Sequence, residues 1–279
     1  MEHELRGDGP TAVLVHGLTV DRRVMIEAFD ELLAAAGLRR LYVDLPGHGA
    51  SSGDATRASA DDLVDELASL VRAVLEPASA GEPGSRPQAG SVSEASLLEA
   101  PIVIGYSYGG YLAQALVREL GGARGLLLVC PVVEPDFARR TQPARRIAAH
   151  DPELAYSSDP REREAFAEVA VQMTRPVLER FQRAVHPANI AADATVVTAV
   201  RARYALSRPI GDALARLDAP STIVCGRDDH WAGWQDAVPL VAQLKRPHFV
   251  VLPDCGHLLP FEQPRAFAQA VRDFLARAL

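Results

Sequence analysis

The sequence predicts an α/β fold, a mostly parallel central sheet with helices on both faces. Three observations predict it. Nearly unbroken apolar runs at residues 12–15, 39–43, 101–106 and 125–130 read as strands covered on both sides. Between them lie apolar residues at helical spacing, and strand–helix–strand alternation is the mark of a parallel sheet. Sheet-like runs then resume at 221–225 and 248–252 after a long interval without a clear strand.

The elements follow in order. After the first strand, Met25, Phe29, Leu32 and Ala36 share one helical face, and Gly37 ends that helix. Residues 61–75 form a second helix with Leu63, Leu67, Leu70 and Val74 toward the core. Residues 77–96 are rich in Gly, Ser, Pro, Ala and Glu without periodicity, and are expected to be a flexible surface loop. A third helix is expected over 108–120. From 131 to 209 helical patterns succeed one another at 161–174, 176–185 and 192–206, with breaks near Pro160, Arg175 and Pro187. The β-branched run at 195–200 leaves part of the last one open to a strand reading. Pro264 starts a C-terminal helix carrying Phe267, Val271, Phe274 and Ala278. An all-helical insert between two parts of a sheet reads as a cap over the strand ends. The expected plan is a core in two parts, 1–130 and 210–279, with a helical cap at 131–209.

Composition sets the bounds. A chain of 279 residues can bury a large core without disulfide or metal staples. Apolar residues at 48% and charged residues at 23% exclude a disordered or collagen-like chain. A formal charge of -7 does not favour nucleic acid or an anionic membrane as partner. No stretch approaches eighteen apolar residues, and the run at 11–15 is too short for a signal peptide. Cys130, Cys225 and Cys255 are an odd number at wide spacing, expected as free thiols, so the expected location is cytoplasmic.

Chemistry concentrates at Gly105-Tyr106-Ser107-Tyr108-Gly109, between a strand and a helix. A serine in such a tight turn projects its hydroxyl above the sheet edge, and glycines two positions either side let strand and helix pass closely. Alone, the pattern also fits a turn with a capping serine. A serine needs a base, and the base needs an orienting acid. His257 follows the strand ending at Leu252; Asp229 follows the one ending at Cys225, with Asp228 as its rival. The order Ser, Asp, His suits this architecture, and all three can reach one edge of the sheet. His16-Gly17-Leu18 follows the first strand, so the backbone N–H groups of Leu18 and Tyr108 can converge as an oxyanion hole. His16 and His48, the latter in Asp44-Leu45-Pro46-Gly47-His48-Gly49, are expected to brace their loops. The eight histidines are scattered and no cysteine cluster exists, so neither metal nor cofactor is expected.

These motifs make the chain resemble the α/β-hydrolase superfamily, in its branch with a helical cap and its esterase-like and C–C-hydrolase-like members. The resemblance implies Ser107 as nucleophile, His257 as base, Asp229 as orienting acid at the fourth position of Gly226-Arg227-Asp228-Asp229, and Leu18 and Tyr108 as oxyanion donors. Glu262-Gln263-Pro264 resembles the family's run into its last helix. One departure is expected: about ten residues precede the first confident strand, so the sheet should lack the family's first edge strand. The implied activity is hydrolysis of a small-molecule carboxylic ester through an acyl-enzyme. A C–C bond in a diketone, or an amide, is the alternative with the same residues, and a noncatalytic binding protein the third. The serine disfavours the family's branches that attack with aspartate. Trp231, Trp234, Tyr106, Tyr108, Met173 and Phe181 are candidates to line an apolar pocket. Arg201, Arg203 and Arg208 are candidates to meet a substrate carboxylate, against a plain solvent-facing role. No heptad repeat constrains the oligomeric state.

Overall fold

The computed structural model describes residues 1–76, 100–156 and 159–279; the loop expected at 77–96 lies outside them. Nine strands are described: β1 His3–Arg6, β2 Thr11–Val15, β3 Arg39–Val43, β4 Ile102–Tyr106, β5 Gly125–Val129, β6 Ala149–His150, β7 Gln172–Met173, β8 Ser221–Gly226 and β9 Pro247–Leu252. Seven form one sheet in the order β1-β3-β2-β4-β5-β8-β9, with β1 antiparallel to β3 and all other neighbours parallel. A single short strand, β1, thus precedes β2 and its His16-Gly17 loop among the described residues, and it forms one edge of the sheet.

Eleven helices accompany them: α1 Arg22–Ala35, α2 Ala60–Leu75, α3 Tyr108–Leu120, α4 Pro160–Val169, α5 Arg175–Arg180, α6 His186–Ala191, α7 Ala194–Ala202, α8 Ala213–Arg216, α9 Ala237–Gln243, α10 Leu259–Glu262 and α11 Pro264–Ala278. Local chemistry sets their ends. Asp21 caps α1 by accepting from Arg23 N–H, and Gly37 turns the chain out at φ 70. Ser59 and Asp62 form a reciprocal capping box on α2.

The sheet divides two apolar clusters, and the strands feed both by simple alternation. Val13, Val15, Leu41, Val43, Leu126 and Leu128 face the side covered by α2 and α3. Ala12, Leu14, Tyr42, Ile102, Ile104 and Leu127 face the side covered by α1 and α11. Both faces are therefore buried, which is why the runs are unbroken rather than alternating. Across the second side Phe29 meets Phe267 edge-on, ring centroids 5.2 Å apart.

The segment between β5 and β8 departs from the expected all-helical insert at two places. The helix expected to reach Thr174 ends at Val169, and Gln172–Met173 pairs in parallel with Ala149–His150. The cause is a competing acceptor: the Glu262 carboxylate takes the Val171 and Gln172 N–H groups at 2.6 and 3.0 Å. Pro187 does not break a helix; it opens α6, just after a π turn at Phe181–Val185. A proline has no N–H to give, so the widened turn sits where that bond is absent. The run at 195–200 is helical within α7, capped by Asp193 accepting from Thr195 and Val196 N–H.

This segment is tied to α1 and to the loop after β3 at separate points. Arg23 donates to the Pro187 carbonyl at 2.9 Å, and Arg183 pairs with Glu27 at 2.7 Å. Asp193 N–H donates to Gly47 carbonyl at 2.8 Å. At Gly47 (φ 74) a Cβ would lie 2.6 Å from Val196 Cβ, so α7 rests on that loop only because glycine is there.

Candidate active site

Parallel strands deliver their carboxyl ends to one edge of the sheet. The chain runs from β2 outward to β3 and returns to β4 on the other side of β2, which makes the β2/β4 boundary the switch point where such sheets open a crevice. The His16-Gly17 loop follows β2, Ser107 follows β4, Asp229 follows β8 and His257 follows β9.

Ser107 occupies the left-handed region, φ 57 and ψ -122, between β4 and α3. The turn closes because its neighbours lack side chains. A Cβ on Gly105 would stand 2.7 Å from Ala113 Cβ, and one on Gly109 would overlap the Val15 and His16 carbonyls. A Cβ on Gly17 would stand 2.9 Å from Ser107 Cβ, so the loop after β2 lies directly against the serine. Ser107 makes no side-chain cap on α3, which sets aside the capping-serine reading. Its hydroxyl lies 2.8 Å from His257 Nε2.

His257 Nδ1 lies 2.9 Å from Asp229 Oδ2. The other carboxylate oxygen accepts from Trp231 N–H at 2.9 Å and Ala232 N–H at 3.0 Å. Asp229 is fully buried, which raises its carboxyl, but the neighbouring imidazole and these donors outweigh burial and hold it below its usual range. An ionised carboxylate only accepts, so the proton on His257 sits at Nδ1 and Nε2 is free to accept from the Ser107 hydroxyl. Asp228 points elsewhere: its Oδ2 accepts from Arg146 at 3.0 Å, and Arg146 also grips Asp254 at 2.9 Å. Of the two acids, Asp229 is the one on the imidazole.

Two further residues hold His257, and the sequence reading assigned neither of them that role. The Tyr106 ring stacks on the imidazole, centroids 5.5 Å apart and 19° between planes, and its hydroxyl donates to the His257 carbonyl. Glu262 accepts from Gly256 N–H at 2.6 Å while holding Val171 and Gln172 with its other oxygen. Burial pushes the Glu262 carboxyl up. Glu262 was visible only as part of the run into the last helix, and nothing in linear spacing marks a link from it to residue 171.

The loop after β2 is braced as expected. His16 donates from Nδ1 to Gly17 carbonyl at 2.7 Å and accepts Leu45 N–H on Nε2 at 2.9 Å. Burial, with the nearby His48 ring, lowers its pKa to about 3, so it stays neutral. His48 accepts Thr19 N–H at 3.2 Å and donates to Pro46 carbonyl at 2.9 Å. Among the described residues neither the Leu18 nor the Tyr108 N–H donates to another residue. Both belong to the two segments that flank Ser107. The one grouping with metal-ligand reach among the described residues is Cys130, Asp229 and His257, whose ligand atoms lie within 4.8 Å. Its donors suit a hydrogen-bonded relay better than an ion: the acid and the imidazole already bind each other, and burial pushes the Cys130 thiol up.

Ser107 and His257 open into a cavity of about 940 Å³. Leu18, Tyr106, Phe181 and Trp231 line it, whereas Trp234, Tyr108 and Met173 do not. Tyr108 is packed inside, stacked 4.1 Å from Tyr204. Arg203 is taken by the Ala55 and Thr56 carbonyls, and Arg208 by Asp61 and Asp65, leaving Arg201 as the one candidate of the three on the cavity wall. Phe137 and Arg140 also line it, from a segment without a periodic signal, as does Tyr204, within the pattern expected to be helical at 192–206 but beyond the end of α7 at Ala202.

This constellation can activate a hydroxyl against an electrophilic carbon, with a positioned base and a neighbouring pair of N–H donors. Known proteins agree with the class. Mouse monoacylglycerol lipase ABHD6 is 22% identical over 283 residues, 97% of this chain and 76% of the lipase. A 2-hydroxy-6-oxononadienedioate/2-hydroxy-6-oxononatrienedioate hydrolase of Escherichia coli is 26% identical over 251 residues, 88% of this chain and 79% of that protein. Among solved structures, an alpha/beta superfamily hydrolase from Oenococcus oeni aligns with TM-score 0.83 at 22% identity, covering 99% of this chain and 95% of the other. A thermophilic esterase from Thermogutta terrifontis aligns at 0.66 and 24%, covering 99% and 93%. The sequence pattern of the Alpha/beta hydrolase family matches residues 12–270. The chain therefore belongs to the alpha/beta hydrolase family.

Proposed function

We propose that the chain hydrolyses a carboxylic ester of a small molecule through an acyl-enzyme on Ser107. The observation that carries this reading is the continuous line Ser107 Oγ, His257 Nε2, His257 Nδ1, Asp229 Oδ2, with links of 2.8 and 2.9 Å, at the wall of the cavity. Ser107 Oγ attacks the ester carbon as its proton passes to His257 Nε2, giving a tetrahedral oxyanion. The N–H groups of Leu18 and Tyr108 receive that oxyanion. His257 returns the proton to the leaving alcohol as the C–O bond breaks. Water then loses a proton to His257, adds to the acyl carbon, and the proton returns to Ser107 as the acid departs. Asp229 stabilises the imidazolium and fixes its tautomer; Tyr106 and Glu262 position it.

Residues 131–209 act as a cap in this reading, with residues 1–130 and 210–279 as the core. Phe181 and neighbouring apolar side chains receive an apolar part of the substrate. No helix among the described residues is long and apolar enough to cross a membrane. The three unpaired, buried cysteines support a cytoplasmic location. Ser107→Ala is expected to lower ester turnover by about 10⁴-fold or more while the protein stays folded. Turnover that persists in the purified variant contradicts the assignment. Similarity to the E. coli hydrolase favours a second reading, cleavage of a C–C bond next to a ketone by the same residues. Diketone cleavage without ester turnover by the wild type would select it.

A further inference from the structure

Arg140 stands out among the cations on the cavity wall. Its Nε donates to Glu134 carbonyl at 2.8 Å, its Nη1 to Trp231 carbonyl at 3.0 Å and its Nη2 to Pro135 carbonyl at 3.4 Å. The guanidinium carbon also sits 5.3 Å from the Phe137 ring centroid and 5.7 Å from that of Tyr204. A guanidinium has five N–H donors, so one on each terminal nitrogen remains after these three bonds. These three acceptors are neutral carbonyls, and the Tyr204 hydroxyl also lies against the guanidinium; among the described residues no carboxylate lies within ion-pair distance of Arg140. By contrast its neighbour Arg139 pairs with Glu134 at 3.1 Å. Arg140 is therefore a rigidly held cation with only uncharged partners at close range.

Its place relates it to the serine. Arg140 holds the carbonyl of Trp231, two residues past Asp229, and borders Tyr204, whose ring stacks on that of Tyr108 beside Ser107. Arg201 lines the same wall and lies near Tyr204, and among the described residues no ion pair joins it to a carboxylate. Glu134, Asp136 and Glu168 also line the cavity, so its three arginines face three acids. That balance leaves no surplus of positive charge for a dianion. A guanidinium matches a carboxylate in geometry as well as charge.

We propose that Arg140, assisted by Arg201, binds a carboxylate carried by the substrate, so that the preferred substrates are half-esters of dicarboxylic acids. This rests on the ester-hydrolase reading and adds the substrate class to it. The carboxylate docks at Arg140 and anchors one end of the chain while the ester carbonyl sits at Ser107.

The test compares mono-ethyl adipate with ethyl hexanoate, and with a phosphate-tailed ester of the same length. The wild type is expected to favour mono-ethyl adipate over ethyl hexanoate by about 10- to 100-fold in kcat/KM, the range of a charge-assisted contact. The phosphate-tailed ester is expected to fall below the half-ester. In Arg140→Met the adipate-to-hexanoate ratio should collapse toward one, with Arg140→Lys between. Because Arg140 also ties three carbonyls, the wild-type ratio and Arg201→Gln, which should lower the ratio about threefold, serve if Arg140→Met does not fold. Turnover of both esters with a ratio near one in the wild type, or a ratio unchanged in Arg140→Met, overturns the carboxylate site and leaves the hydrolase intact. A preference for the phosphate tail replaces carboxylate with phosphate as the ligand and also overturns it. No turnover of any ester, with Ser107 unreactive toward a fluorophosphonate, is a failure of the underlying function instead.

Discussion

Asp229 and His257 hang from β8 and β9, two neighbouring parallel strands, whereas Arg140 and Phe181, across the same cavity, hang from a segment tied to α1 by separate polar contacts. At the strand ends the backbone leaves no slack. Cβ atoms at Gly17, Gly105, Gly109 and Gly226 would all collide with neighbouring atoms. In the segment between β5 and β8, polar ties such as Arg23 to Pro187 carbonyl and Arg183 to Glu27 are each worth about 1 kcal/mol or less in partly exposed settings, and buried side chains such as Phe166, Leu178 and Phe181 pack into the core beside them. The lesson is a division of labour. In the proposed reading, the reacting groups sit where the sheet fixes geometry, and the groups that would select the substrate sit on the inserted segment.

Breaking the strand-end side should give the largest effect. Asp229→Asn removes the acceptor that fixes the imidazole tautomer, and is expected to lower kcat by about 10³- to 10⁴-fold. Asp228→Asn, on the adjacent residue, loses only the Arg146 pair and should stay within about tenfold. Steady-state kinetics on the two variants, with circular dichroism to verify folding, decides the ranking; the reverse order contradicts the assignment of the acid.

Glu262 belongs to both regions, since one carboxylate holds Gly256 beside His257 and Val171-Gln172 in the inserted segment. Glu262→Ala leaves three N–H groups without their acceptor, two of those bonds being buried. Losses of about 1–3 kcal/mol per buried group predict destabilisation of about 3 kcal/mol or more, read as a lower denaturation midpoint. A variant as stable as the wild type would show that the two regions are not joined there.

A smaller effect concerns pH. His16 is held neutral by burial, its pKa lowered to about 3 from an ordinary 6.5. The unfolded chain therefore binds the proton first. The stability it contributes is complete above about pH 6.5 and is lost as pH falls through the window toward 3, at up to about 1.4 kcal/mol per pH unit. Asp229, held below its ordinary 3.8, loses its contribution only at lower pH. Glu262, pushed above 4.5, has the opposite sign, because the fold then holds the proton more tightly than the unfolded chain. Urea titrations of wild type and His16→Gln between about pH 7.5 and 5.5 isolate the histidine: the variant should be less stable at the upper end and flatter in slope. Equal slopes would contradict a neutral buried brace.

Legibility in the sequence follows the same division. Apolar runs of five residues revealed the strands because both faces are buried, and strand ends then located Ser107, Asp229 and His257. The choice of Asp229 over Asp228 rested on a family pattern; geometry supplies a reason, since Arg146, some eighty residues away in the chain, takes Asp228. The end of α4 at Val169 was hidden because a distant carboxylate, not a local breaker, stops that helix. Pro187 misled for a related reason, a proline being harmless where a helix opens after a π turn. Arg140 had no signal, since residues 132–140 lack periodicity and its partners are backbone carbonyls. Of the apolar-pocket candidates, Tyr106, Phe181 and Trp231 face the cavity and Tyr108, Met173 and Trp234 do not, a distinction set by tertiary packing rather than spacing.

The central claim, that Ser107 is the nucleophile activated through His257 and Asp229, is tested most directly by covalent labelling with a fluorophosphonate and intact-mass analysis. One adduct should form, map to Ser107 in the proteolytic digest, and rise in step with loss of ester turnover, with labelling slowed strongly in Asp229→Asn. A folded protein that takes up no label, or loses its turnover to an adduct elsewhere while Ser107 stays unmodified, would contradict it.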